Sequence, residues 1–151
     1  MDIDKIKRLR EMTGAGFADA KKALVDADGD FDKALGAMKK QGLAKAAKRG
    51  QREARSGLIS SYNHDGRIGV LVEVNCETDF VAKTDEFKEL VKDLTLHIAA
   101  SEPESVDDLL KQPFVKNPDQ TVEDVVKGSI AKLGENIIVR RFTHYALGET
   151  E

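Results

Sequence analysis

The chain has 151 residues and a net charge of −3, with 40% apolar and 34% charged side chains; that suits one ordinary domain or two small ones, and no apolar run nears the ~20 residues of a membrane span. No Trp, two Tyr and six Phe leave an aliphatic core and argue against a stacked-base or carbohydrate platform. The charge is unevenly divided, with +5 on residues 1–55 and −8 on residues 56–151, which marks two parts with different jobs.

Met1-Asp2-Ile3-Asp4 has neither the basic n-region nor the apolar h-region of a signal peptide, and an acidic start does not fit a transit peptide. Ile3, Ile6, Leu9 and Met12 recur at three-residue spacing and predict a first helix. Thr13-Gly14-Ala15-Gly16 interrupts it. The glycines invite a phosphate-loop reading, but they follow a helix and lack the P-loop lysine, so they predict a helix–helix turn. A second helix starts near Phe17, with Ala20, Lys21, Leu24 and Val25 as its periodic set. Asp28-Gly29 ends it, the glycine supplying a left-handed position. Asp30 is the expected N-cap of a third helix, in which Phe31, Ala34, Leu35 and Met38 share a face. Gly42 is its expected stop. Residues 1–42 thus read as a three-helix bundle near the lower size limit for independent stability.

Residues 43–56 carry Lys45, Lys48, Arg49, Arg52 and Arg55 against the single acid Glu53. Their alanines favour helix, and sparse apolar positions argue against burial. They predict a basic, partly helical linker. Such a stretch could touch RNA phosphates, but no aromatics interleave it and the whole chain is acidic. Direct nucleic-acid binding is not expected.

From Ser56 the period becomes two. Residues 57–62 and 67–75 predict strands, with Ile68, Val70, Val72 and Val74 alternating onto one buried face. Asn63-His64-Asp65-Gly66 lies between them, and Asp-Gly is a hairpin signal. Thr84 caps a long helix whose stripe is Phe87, Leu90, Val91, Leu94 and Ile98. Pro103, Pro113 and Pro118 mark an irregular connection, with a helical turn near residues 106–110. Thr121 caps a further helix with Val122, Val125, Val126, Ile130 and Leu133 buried, ended by Gly134. Residues 136–145 predict a third strand. Residues 57–151 therefore read as an α+β domain, a three-stranded antiparallel sheet packed with helices.

No catalytic constellation stands out. Cys76 could pair with His64, His97 or His144, but nothing local activates it; a small buried cysteine at a strand end is the favoured reading. One cysteine cannot form an internal disulfide or a multi-cysteine zinc site, and no metal-ligand cluster is spaced along the chain. No cofactor is expected, and a reducing cytoplasm is. The unusual local feature is Thr78-Asp79-Phe80-Val81, a strand-to-helix turn with Thr78 as its candidate N-cap. A Phe there is either tucked under the sheet or presented outward, and the residue pattern alone favours the tucked position.

Three segments in order resemble the elongation factor Ts family. They are Leu9-Arg10-Glu11-Met12-Thr13-Gly14-Ala15-Gly16 with Asp19, Lys21, Lys22, Ala23 and Leu24; then residues 72–82, around Asn75-Cys76-Glu77-Thr78-Asp79-Phe80-Val81; and finally Leu133-Gly134-Glu135-Asn136-Ile137 with Arg140, Arg141 and Phe142. The resemblance implies a guanine-nucleotide exchange factor that binds the GDP form of elongation factor Tu and expels magnesium and GDP. It implies that the bundle is similar to ubiquitin-associated domains and docks on the G domain through Arg10, Thr13, Gly16, Phe17 and Lys21. It also implies that Thr78, Asp79, Phe80 and Val81 work at the magnesium side of the nucleotide pocket, with Phe80 presented outward. The family often has Met where this chain has Phe17 and Ala18. Longer members carry a helical insertion, and often a second core subdomain, where this chain has only Ser101 to Asp108 before Leu109-Leu110-Lys111-Gln112-Pro113-Phe114. A homodimer through the three-stranded sheet is the expected compensation. The alternative reading is a ubiquitin-associated-like adaptor for ribosomal or nascent-chain partners.

Overall fold

The computed structural model describes residues 2–50 and 52–149. Three helices come first: α1 (Ile3–Thr13), α2 (Phe17–Asp26) and α3 (Phe31–Arg49). The Asp2 carboxylate caps α1 by accepting from Asp4 N and Lys5 N, and Gly14 ends it at φ 72°. Of the predicted stripe only Ile6 and Leu9 are buried; Ile3 and Met12 stay exposed. They pack with Ala20, Leu24, Ala34 and Met38 into a small core.

The third helix does not stop at Gly42. It runs on to Arg49 because Gly42 serves a close approach rather than a cap. A Cβ there would come 3.0 Å from the Ala131 Cβ. The glycine brings α3 against α7 (Val122–Leu133), and Ala46 one turn later is buried in the second core. Half of the expected linker is thus the end of a packed helix.

The sheet has the order β1-β2-β5, all antiparallel, from β1 (Ser56–His64), β2 (Ile68–Cys76) and β5 (Ile138–Ala146). The hairpin turns on Asp65 and Gly66, both at positive φ, with Arg67 N donating to His64 O at 2.9 Å, the arrangement Asp-Gly favours. Val70, Val72 and Val74 point into the core, where α4 (Asp79–Ala82) and α5 (Asp85–Ser101) cover the sheet. Thr84 caps α5 through Phe87 N, and Thr121 with Asp124 forms a capping box on α7. On the opposite sheet face Ile59, Leu71 and Tyr145 are exposed.

The proline-marked connection is more ordered than its sequence suggests. It holds α6 (Val106–Lys111) and a short antiparallel pair, β3 (Pro113–Phe114) and β4 (Asn117–Thr121). The pair is built onto His97, which is fully buried. One ring nitrogen, Nδ1, accepts from Val115 N at 3.2 Å, and Nε2 lies 2.8 Å from Gln112 Oε1. Phe114 stacks on the same ring.

Candidate partner-binding site

The turn from β2 to α5 carries the least expected geometry. β2 ends at Cys76 and α4 begins at Asp79, a helix of four residues. Thr78 caps α4, its hydroxyl accepting from Val81 N at 3.3 Å. Val81 and Ala82 are buried and anchor the helix from below. Phe80 is 80% exposed. The tucked position favoured by the residue pattern is therefore wrong: the short helix turns its two small apolar residues inward, which leaves Phe80 and Asp79 on the outer side.

A large aromatic held in water forfeits the burial that would otherwise stabilise it, a difference of about 1.5–3 kcal/mol. A single exposed apolar side chain is common on protein surfaces; what distinguishes Phe80 is that the turn carrying it is held rigidly. The turn is built from three sides. The Glu135 carboxylate accepts from Glu77 N at 3.1 Å, Thr78 N at 3.0 Å and Thr78 Oγ1 at 2.7 Å. Asn136 N donates to Glu77 Oε2 at 2.6 Å. Buried Asn136 in turn donates from Nδ2 to Arg52 O at 2.6 Å.

Cys76 sits directly under this turn and is buried, its thiol donating to Thr78 O at 3.1 Å. Burial, with the Glu135 carboxylate behind it, pushes the thiol pKa up, the opposite of what a nucleophile needs. The histidines are engaged elsewhere: His64 with Tyr62, His97 with Gln112, and His144 with Ala99 O. Among the described residues no group of His, Cys, Asp or Glu could hold a metal ion.

The second set of candidate residues lies around the α1–α2 turn. Arg10, Gly16, Phe17 and Lys21 are exposed and Thr13 is half-buried. Thr13 Oγ1 donates to Leu9 O at 2.6 Å and accepts from Ala15 N, which shapes the turn. Exposed Met12 and Phe17 add apolar surface on either side of it. Gly14 rests on α7, where a Cβ would fall 2.8 Å from Lys132 Cγ and 3.1 Å from Lys132 O. Both sets therefore meet the C-terminal end of α7, one at Lys132 in its last turn and the other at Glu135 just past its Gly134 cap.

The basic segment is tied to the rest of the protein at two points: Arg49 donates to Ile130 O, and Arg52 lies 3.7 Å from Glu77; Arg55 pairs only with Glu53 of the same segment. Across from them Arg140 donates to Asn75 Oδ1 and Ala54 O, re-aimed by a bulge in β5.

Comparison with known proteins decides the family. A family model described as elongation factor TS matches residues 77–151. An elongation factor Ts of Alkaliphilus oremlandii is 45% identical, covering 99% of this chain and 91% of its own. The chain belongs to the elongation factor Ts family. An elongation factor Ts of Moorella thermoacetica is 44% identical over 95% of this chain and 94% of its own, and one of Thermodesulfovibrio yellowstonii is 38% identical over 97% and 96%. The Alkaliphilus alignment runs over 196 positions, 45 more than this chain has residues. The chain is thus shorter than the span it aligns to, and its described residues form three N-terminal helices followed by an α+β core. The Gly134-Glu135-Asn136 segment is among those that carry the resemblance, yet its hold on Thr78 could not be read from sequence. A carboxylate 57 residues away leaves no local spacing signal.

Proposed function

We propose that this protein is a guanine-nucleotide exchange factor for the translational GTPase elongation factor Tu. It binds the GDP form, displaces magnesium and GDP, and leaves a nucleotide-free complex that GTP resolves. The observation that carries this reading is Phe80, 80% exposed on a turn pinned by Glu135 and Asn136. Phe80 is the wedge. Thr78 and Val81 form the turn behind it, and Asp79 orients it or pairs with the partner.

The physics needs no bond-making step. Magnesium demands near-ideal octahedral geometry at about 2.0–2.1 Å, so a small shift of its ligands ejects it. GDP phosphates at a glycine-rich loop and helix N-terminus lose the same support. Linkage makes the effect reciprocal: a factor that weakens GDP is itself weakened by GDP. The protein acts as a binding partner in the cytoplasm rather than as an enzyme, and it uses no cofactor of its own.

The α1–α2 turn docks on the G domain through Arg10, Thr13, Gly16, Phe17 and Lys21. Nucleic acid is not an expected partner: the chain is acidic overall and no aromatic side chain interleaves the basic residues of its 43–56 segment. A second copy of the chain covers the open sheet face, where Ile59, Leu71 and Tyr145 are exposed.

The test is release of fluorescent GDP from elongation factor Tu with and without the protein. Release should accelerate, and the complex recovered in a pulldown should dissociate on adding GDP. Recovery of ribosomal proteins instead, insensitive to GDP, would favour an adaptor. Light scattering checks the second copy: a clean monomer with full exchange activity would contradict it.

A further inference from the structure

We propose that Glu135 is the positioning residue of the exchange turn: anchored just past α7, its carboxylate fixes the backbone from which Phe80 projects. This rests on the reading of Phe80 as the wedge.

Four-residue helices have no stability of their own, because nucleation costs more than so few bonds return. α4 must be held from outside. Its N-terminal approach, Glu77 and Thr78, lies between strand and helix, so the two N–H groups have no ladder partner and need an acceptor. Both find Glu135 Oε1, while Glu135 Oε2 takes the Thr78 hydroxyl proton at 2.7 Å. That proton leaves the hydroxyl lone pairs free to cap Val81 N. Thr78 Oγ1 is thus the joint between Glu135 and the helix that carries Phe80.

The clasp is reciprocal. Glu135 takes the N–H groups of residues 77 and 78, and Glu77 takes the N–H of residue 136 at 2.6 Å. Asn136, 2% exposed, fixes the pair to the segment after α3 through Arg52 O. Gly134 at φ 79° ends α7 just before the clasp, so Glu135 departs from a defined point. Phe80, being exposed, has little packing to hold it, and its direction is inherited from this backbone. Removing the carboxylate frees the donors and lets Phe80 spread over orientations that must be narrowed again in the release step, when the wedge engages.

The experiment titrates full-length protein against elongation factor Tu loaded with fluorescent GDP. It yields a half-saturating concentration and a maximal release rate for wild type, Glu135→Ala, Phe80→Ala and the double variant. Glu135→Ala should lower the maximal rate on the order of tenfold or more. In the Phe80→Ala background it should add nothing, because it acts through Phe80. Independent, multiplying losses in the double variant would overturn the proposal, as would an unchanged maximal rate in Glu135→Ala. Should Glu135→Ala fail to fold, Thr78→Val and Thr78→Ser carry the test. Serine should hold the wild-type rate and valine lose it, and equal rates would overturn the proposal. The wedge reading fails separately, if Phe80→Ala releases GDP like wild type. In that case hydrogen exchange at Val81 N–H decides: faster exchange in Glu135→Ala upholds the clasp, and unchanged exchange overturns it.

Discussion

The bundle of α1–α3 is closed by Ile6, Leu9, Leu24, Met38 and two alanines, Ala20 and Ala34. The α+β core is closed by Phe87, Leu94, Ile98, Val72, Val74 and Val122, with many more side chains around them. The bundle thus has the smaller buried set, and it leaves Ile3, Met12, Phe17 and Val25 exposed. The core buries many more side chains, Phe87 and His97 among them, and caps its two long helices with Thr84 and Thr121. The thin unit holds its place by leaning on the thick one. α3 runs out of the bundle along α7, Gly42 meets Ala131, and Gly14 meets Lys132. The surface proposed for docking can stay apolar when its support is borrowed from a neighbour.

This contrast can be broken most sharply with one substitution in each part. Leu94 and Leu9 are both fully buried, so truncation to Ala should cost about 2–5 kcal/mol in either place. Leu94→Ala should lower the urea midpoint for the whole protein. Leu9→Ala should open the bundle alone, with hydrogen exchange accelerating in residues 3–38 while β2 and α5 amides stay protected. Equal acceleration in both parts would mean one cooperative unit. A smaller contrast lies in the caps. Thr84→Ala and Asp30→Ala each remove an N-cap acceptor and should cost about 0.5–2 kcal/mol. The first should appear in the global transition and the second in local exchange of α3.

The smallest effect belongs to Glu73, on the exposed sheet face. The Asn75 amide, then the Arg141 guanidinium, hold its carboxyl below the ordinary value of 4.5. Its folded pKa is the lower one, so its contribution is present above the unfolded value and fades as pH falls through the folded one. Glu73→Gln should be slightly less stable than wild type near neutrality. That gap should begin to narrow below pH 4.5 and close as the pH falls through the lowered folded value. A gap that persists in acid would show that the loss is packing, not charge.

Much of the fold was legible because its signals are local. Alternation at Ile68, Val70, Val72 and Val74, the Asp65-Gly66 turn, and the caps at Thr84, Thr121 and Gly134 are each set within a few residues. The failures share a cause at longer range. Gly42 reads as a helix stop until Ala131 is placed beside it. Residues 113–121 read as irregular because Pro113 and Pro118 hide a pair that is built onto buried His97. Phe80 reads as buried because nothing in its own segment shows that Val81 and Ala82 take the inward positions. The family resemblance supplied the outward Phe80, but not the Glu135 clasp behind it.

The most direct test of the account is stopped-flow release of fluorescent GDP from elongation factor Tu driven by wild type and by Phe80→Ala. An exposed side chain carries little of the fold, so the variant should melt with the wild type. Its maximal rate of GDP release should nevertheless fall well below that of the wild type. Acceleration equal to wild type by a folded Phe80→Ala protein would contradict the central claim.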